Sequence, residues 1–215
     1  MPRHRAFPVV LAAPSGAGKT SLARALVERH DELVFSLSAT TRLARPGERH
    51  GDDYEFVDEA GFDALVRDDA LLEWATVHGR RYGTLRRGVA AALADGHTVV
   101  LDIDVQGARR VRTTLPDAVL VFVLPPSVDE MTRRLRTRAS ESDEELATRL
   151  RTAQEELEAV ADFDYVVVND DFEEAMRTIE CIISAERIRV TRLQGLDERL
   201  SSLRSDIDGI LERND

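Results

Sequence analysis

Residues 7–29 read F-P-V-V-L-A-A-P-S-G-A-G-K-T-S-L-A-R-A-L-V-E-R. A short apolar run passes through a loop of small residues directly into a segment whose apolar positions recur at helical spacing. That passage is strand, loop, helix, and a buried strand that feeds a helix belongs to a layered α/β domain. Three further runs read as buried strands: Thr98 to Asp104, Ala118 to Leu124 and Tyr165 to Asn169. Helical patterns separate or follow them at Arg86 to Ala94, Asp129 to Arg138, Asp143 to Ala161 and Phe172 to Arg189. The alternation predicts a domain built on a parallel sheet.

The loop itself, Ala13-Pro14-Ser15-Gly16-Ala17-Gly18-Lys19-Thr20, matches G-x-x-x-x-G-K-[ST] except that Ala13 stands where the pattern opens on glycine. In such a loop, glycines let successive backbone N–H groups turn inward around phosphate oxygens, and the following helix adds its positive N-terminal end. Lysine reaches the outer phosphates and the Ser/Thr hydroxyl holds Mg²⁺, tasks that fall here to Lys19 and Thr20. Lys19 is also the one lysine among 29 cationic side chains. A guanidinium is a broad planar fork, whereas a compact ammonium fits a tight ring of amides. Ala13 costs little provided its φ is negative.

With 215 residues, 43% of them hydrophobic, the chain can bury one core, as a single domain or a domain with insertions. The lone Cys181 lies in the apolar stretch I-E-C-I-I, has no disulfide partner and reads as a small buried hydrophobe in a reducing, cytoplasmic setting. No apolar run approaches the ~20 residues of a membrane span, and no cleavable signal precedes the loop. A formal net charge of -11 argues against general nucleic-acid binding, yet leaves room for small phosphorylated ligands held by local arginines. His4, His30, His50, His78 and His97 are scattered without the spacing of a zinc site.

From about Leu33 to Gly83 the character changes. Short strand-like runs (L-V-F-S-L-S, Y-E-F-V, E-W-A-T-V-H) mix with turn signals at Pro46-Gly47, Gly51 and Gly79, as in an inserted subdomain. Arg42 and Arg45 lie there on an extended segment, and two guanidinium forks with Tyr54 nearby suit a terminal phosphate. A second inserted piece, Ser127 to Glu158, is helical and Arg-rich, and its middle, A-S-E-S-D-E-E, is polar enough to move. Beyond about Arg187, Leu193, Leu196, Leu200, Leu203, Ile207 and Ile210 are spaced 3, 4, 3, 4, 3, a short coiled-coil-type seam interrupted by Gly195 and Gly209. The sequence leans to a terminal helix packed on its own domain, ahead of the sharper reading, a contact that joins subunits into a homo-oligomer.

The ordered motifs A-P-S-G-A-G-K-T, S-A-T-T-R-L-A-R-P-G-E, G-D-D-Y-E-F-V, L-L-E-W-A, R-Y-G-T, L-D-I-D-V-Q-G, P-P-S and V-V-N-D-D resemble those of the guanylate kinases, which phosphorylate GMP from ATP. The resemblance runs from about Phe7 to Glu186, and bacterial members of that family commonly carry the A-P-S-G form of the loop. It implies a P-loop NTPase-type parallel sheet core, a GMP-binding insertion at about 33–83 and a helical lid at about 127–158; the helix-like stretch 187–215 lies beyond it as a C-terminal extension. It further implies that Arg42, Arg45, Tyr54 and Tyr82 hold the GMP phosphate and that Ser38, Glu73, Thr84 and Asp104 face the guanine. Asp102 takes a Walker-B-like place near Mg²⁺. Chemistry makes independent sense of Glu73: an ionised carboxylate only accepts hydrogen bonds, and guanine offers N1–H and its 2-amino group side by side, where adenine has a lone pair at N1.

The expected reaction moves the γ-phosphoryl group of MgATP to GMP. The acceptor is already an anionic phosphate oxygen, so no general base is needed, and two anions must be brought together. Lys19, Mg²⁺ and the lid arginines Arg134, Arg138 and Arg149 are expected to do that, although the lid arginines also have the acidic run Glu141 to Glu145 within reach. Two rivals remain. A kinase for a sugar phosphate such as ribose 1,5-bisphosphate has no use for a guanine pocket, and a non-catalytic guanylate-kinase-like interaction domain has no use for an intact Lys19 and Thr20.

Overall fold

The computed structural model describes residues 4–77, 79–138 and 143–213. In chain order these form Pro8–Ala12 (β1), Lys19–Arg29 (α1), Leu33–Phe35 (β2), Ser38–Thr40 (β3), Glu55–Phe56 (β4), Glu59–Arg67 (α2), Leu71–Val77 (β5) and Arg80–Leu85 (β6). There follow Arg86–Ala94 (α3), Thr98–Asp102 (β7), Val105–Thr114 (α4), Val119–Leu124 (β8), Val128–Arg138 (α5) and Asp143–Leu157 (α6). A 3₁₀ turn at Glu158–Asp162 precedes Tyr165–Val168 (β9) and Phe172–Arg187 (α7), and a second at Val190–Arg192 precedes Leu196–Leu211 (α8).

The core sheet has the order β2-β7-β1-β8-β9, every neighbouring pair parallel. Successive side chains of a strand point to opposite faces. Val9 and Leu11 therefore pack with Leu22 and Leu26 of α1 and with Met176 and Ile179 of α7, while Val10 and Ala12 pack with Val89 of α3 and with Val105 and Val111 of α4. Both faces are covered, so no polar residue is tolerated along β1, and this is why the run is uninterrupted in the sequence.

Two helices escaped the sequence reading. Both start at an aspartate N-cap: Asp58 accepts from the Gly61 N–H ahead of α2, and Asp104 from the Gly107 N–H ahead of α4. The capping aspartate and the helix-spaced apolar residues Phe62, Leu65 and Val66 were signals available for α2. The inserted sheet has the order β4-β3-β6-β5 and packs Ala39, Leu71 and Leu85 on Phe62 of α2. The expected lower boundary of the insertion needs correction, because Leu33–Phe35 pairs with Thr98–Val100 at the edge of the core sheet. A strand that follows a crossover helix returns beside the sheet it left. The inserted sheet begins at Ser38.

Cys181 is exposed, contrary to the expectation of a buried hydrophobe. The buried stripe of α7 runs through Ala175, Met176, Ile179, Ile182, Ile183 and Glu186, and residue 181 falls on the opposite side of the turn. The leaning toward a terminal helix packed on its own domain is also overturned: α8 has no buried residue. Among the described residues no helix is long and apolar enough to cross a membrane.

The extension beyond Arg187 is not one unit. Arg192 is buried, its guanidinium lies 4.2 Å over the Phe7 ring, and Nη2 donates to Glu186 Oε2 at 3.0 Å and to Asp117 O at 2.9 Å. The Tyr165 hydroxyl donates to the other carboxylate oxygen at 2.7 Å. Burial opposes the charge on Glu186, yet Tyr165 and Arg192 together hold its carboxyl below the usual range. Arg192→Ala is expected to cost about 3–5 kcal/mol of stability, because it strands a buried carboxylate. Urea unfolding reads this as a lower midpoint at unchanged slope. A loss below about 1 kcal/mol would show that Glu186 is re-paired by Arg189, whose guanidinium already stands 3.4 Å away.

Candidate functional site

Open α/β sheets bind their ligands beyond the carboxyl ends of the strands, and there β1 runs into loop 13–20. Gly16 and Gly18 have φ of +89° and +90°. Among the described non-glycine residues only Asp69 has positive φ, so Ala13 is unstrained, with its methyl in the core. A Cβ on Gly18 would lie 2.4 Å from Asn169 Nδ2, which donates to the Ala17 carbonyl at 2.7 Å. Asn169, next after β9, thus pins the loop from the side, a role the sequence did not disclose. The Lys19 ammonium, in the first turn of α1, donates to the Asp102 carboxylate at the end of β7. The whole octet lines a cavity of about 680 Å³ together with Asp104, Gln106, Arg109, Thr152, Glu155 and Glu156.

A second cavity, of about 180 Å³, shares Lys19, Thr20, Val77 and Asp104 with the first. The inserted subdomain supplies Ser38, Tyr54, Glu73, Tyr82 and Gly83, and the core supplies Asp102 and Ile103. Glu73 sits at an irregularity in β5 and is buried. Its Oε1 accepts from the Thr84 hydroxyl at 2.7 Å and from the Thr84 N–H at 3.1 Å. Burial pushes the carboxyl above its usual range, and the Thr84 donors pull against it. Thr84 is itself buried and does not line the cavity, so it orients Glu73. A Cβ at Gly107 would stand 2.6 Å from Glu73 Oε2, which makes that glycine a condition for the carboxylate's position. The Gly107 N–H is taken by Asp104 Oδ1 at 2.7 Å, so Asp104 caps α4 and also lines both cavities.

The Tyr54 and Tyr82 rings meet edge-on at 6.1 Å, and the Arg42 guanidinium lies 5.3 Å from the centre of the Tyr54 ring. Arg42 grips Glu48 with two bonds of 2.9 Å, and the Arg45 N–H donates to the same carboxylate at 2.8 Å. That ion pair holds Glu48 below the usual carboxylate range, and a phosphate arriving at Arg42 has to compete with it. Neither Arg42 nor Arg45 lines the cavity, and Arg45 is exposed.

In α5, Arg134 donates to Glu130 at 2.6 Å and, at 3.3 Å and 3.4 Å, to the carbonyls of Ala17 and Asn169. It is docked against the phosphate loop. Arg138 lies in α5, but its side chain is outside the described residues, as is most of the run 141–145. Arg149, on α6, is partly buried and lines neither cavity.

Glu156 was missed. Three acidic residues fall at positions 155, 156 and 158, and only the direction of α6 selects the one that meets the loop. The Ser15 N–H donates to its carboxylate, and Oε2 is buried without a partner. Burial pushes this carboxyl up to about 7, with Asp104 and Glu155 adding to the effect and Ser15 and Lys19 opposing it. Its folded pKa lies above its unfolded one, so ionisation costs stability as pH rises from about 4.5 toward 7. The same ionisation sets an anion against incoming phosphates. ATP affinity is expected to fall about three- to tenfold between about pH 6 and pH 8 on this account, and Glu156→Gln should remove that component. Isothermal titration of both proteins separates it from the ionisation of ATP, which they share; identical profiles would exclude Glu156.

The fold and this site define a P-loop phosphotransferase of the nucleoside monophosphate kinase class. The family model described as guanylate kinase matches residues 5–186. The guanylate kinase of Nitrobacter hamburgensis is 47% identical over 95% of this chain and 94% of its own, and that of Caulobacter vibrioides 45% identical over 93% and 94%. A crystal structure of guanylate kinase from Anaplasma phagocytophilum superposes with a TM-score of 0.80 at 35% identity, covering 94% of this chain and 97% of that one. The chain belongs to the guanylate kinase family.

Proposed function

We propose that the protein transfers the γ-phosphoryl group of MgATP to GMP, giving ADP and GDP in purine nucleotide metabolism. The observation that carries this reading is that Lys19 and Thr20 form a wall common to the phosphate-loop cavity and to the cavity holding Glu73. A donor seated in one and an acceptor in the other meet at the ammonium. Glu73 keeps Oε2 free of Thr84 and so retains accepting capacity for the guanine N1–H and amino group, with Ser38 and Asp104 on the same wall. Hydrogen bonds from the base draw the raised Glu73 pKa back toward the ionised form. Tyr54, Tyr82 and Arg42 cluster at the rim as a phosphate clamp, with Arg45 arriving from outside.

Transfer requires in-line placement and charge compensation rather than a base. Lys19 compensates charge where the two cavities join, Arg134 approaches from the lid, and loop N–H groups hold the donor phosphates. The oxygen donors Thr20 and Asp102 at the cavity wall suit Mg²⁺, which takes few protein ligands. When bound there, the ion would supply charge neutralisation for the phosphates. Assays with GMP, AMP and ribose 1,5-bisphosphate as acceptors test the proposal. GMP-dependent ADP release should dominate; equal rates would overturn guanine recognition, and no ADP with any acceptor would favour a binding module.

A further inference from the structure

The phosphate-loop and guanine cavities absorb the chemistry of the core, but α8 is left without a role. Leu200, Leu203 and Ile207 are 41%, 48% and 55% exposed, in a helix of 16 residues, about 24 Å long. A stripe so regular and so bare calls for a partner. Its flanks say which. With Leu200 and Ile207 at heptad position a and Leu196, Leu203 and Ile210 at d, Asp197 and Arg204 occupy e, and Arg199 and Asp206 occupy g.

We propose that α8 pairs with α8 of a second copy of this chain, antiparallel. In that arrangement a faces d of the other helix, so Leu200 meets Leu203 and Leu196 meets Ile207, which pairs the seam within the helix; Leu193 stands before the helix in an extended conformation and takes no part in it. The same register sets Arg199 opposite Asp206 and Asp197 opposite Arg204, each twice by symmetry: four ion pairs of complementary sign. A parallel pair in register would instead set Arg199 against Arg204 twice, with no compensating attraction. Single exposed ion pairs contribute little stability, and here they choose orientation. The antiparallel overlap also brings the tip of each helix, Leu211, to the base of the other, where Ile188 and Val190 stand 72% and 71% exposed. The flanks of the seam carry both charge signs, which gives an anionic membrane no basic face to attract.

About two heptads bury a small area, so the dimer should dissociate on dilution. Sedimentation equilibrium of the full chain at low salt, from low to high micromolar concentration, should show the mass rise from 24.0 kDa toward twice that value. Leu203→Glu, a surface substitution in a helix with no buried residue, should hold it at 24.0 kDa with turnover unchanged as the control for folding. Arg199→Asp decides the orientation, since it sets two acids together in the antiparallel pair and relieves a repulsion in the parallel one. It should weaken association, and Arg199→Asp with Asp206→Arg should restore it. A mass of 24.0 kDa at every concentration, association that survives Leu203→Glu, or tighter association of Arg199→Asp would each overturn the proposal.

Discussion

Lys19→Ala is expected to lower kcat by about 10³-fold or more while GMP affinity changes little, since charge compensation at the transferring group is the main service the protein supplies. The ammonium stands on the wall shared by both cavities, whereas GMP is proposed to be held chiefly by other groups, Arg42, Tyr54, Tyr82 and Glu73. Lys19→Arg should fail as well. A planar fork spreads its charge over five donors, where the phosphate loop calls for a compact point charge. Steady-state ADP release, with GMP binding followed by titration calorimetry, separates the two effects. A kcat within tenfold of the parent would remove Lys19 from the chemistry. Loss of GMP binding in step with kcat would place it in acceptor binding instead.

Glu73→Gln should lower kcat/KM for GMP by roughly 10³-fold and collapse the preference for GMP over AMP. The amide oxygen can still accept from Thr84, so the amide nitrogen is left to face the guanine donors, donor against donor. Stability should hold or rise, because burial already penalises the carboxylate that is removed. A parallel loss of activity toward both acceptors would mean collapse of the pocket, and thermal melting would show it. An unchanged GMP to AMP ratio would release Glu73 from base recognition.

The core was legible because a strand covered on both faces must be apolar throughout. Pro8–Ala12 and Val119–Leu124 therefore announced themselves within a residue or two of their observed limits. Leu33–Phe35 was assigned to the wrong sheet, since three residues carry no record of their partner. Of the phosphate loop, the octet alone named the backbone turns at Gly16 and Gly18 and the lysine that follows them. It did not name Asn169, which pins the loop at Ala17 from 152 residues further along the chain. Motif resemblance also collected Ser38, Tyr54, Glu73, Tyr82 and Asp104, and all five line the second cavity. Thr84 was collected with them and stands behind Glu73, where a side chain buried between two strands can only bond its neighbour.

The sequence by itself determined the parallel sheet, the phosphate-binding turn and the family, because each rests on a local pattern: alternation between two buried faces, glycines at positive φ, residues at fixed spacing. The tertiary structure alone decided what depends on where separate segments meet. It brought Glu156 to the Ser15 amide and Glu48 to Arg42, required Gly107 to clear the Glu73 carboxylate, and locked Arg192 into the domain while leaving α8 bare. A charge or a methyl takes its energy from what surrounds it after folding, and those surroundings are set by elements distant in the chain.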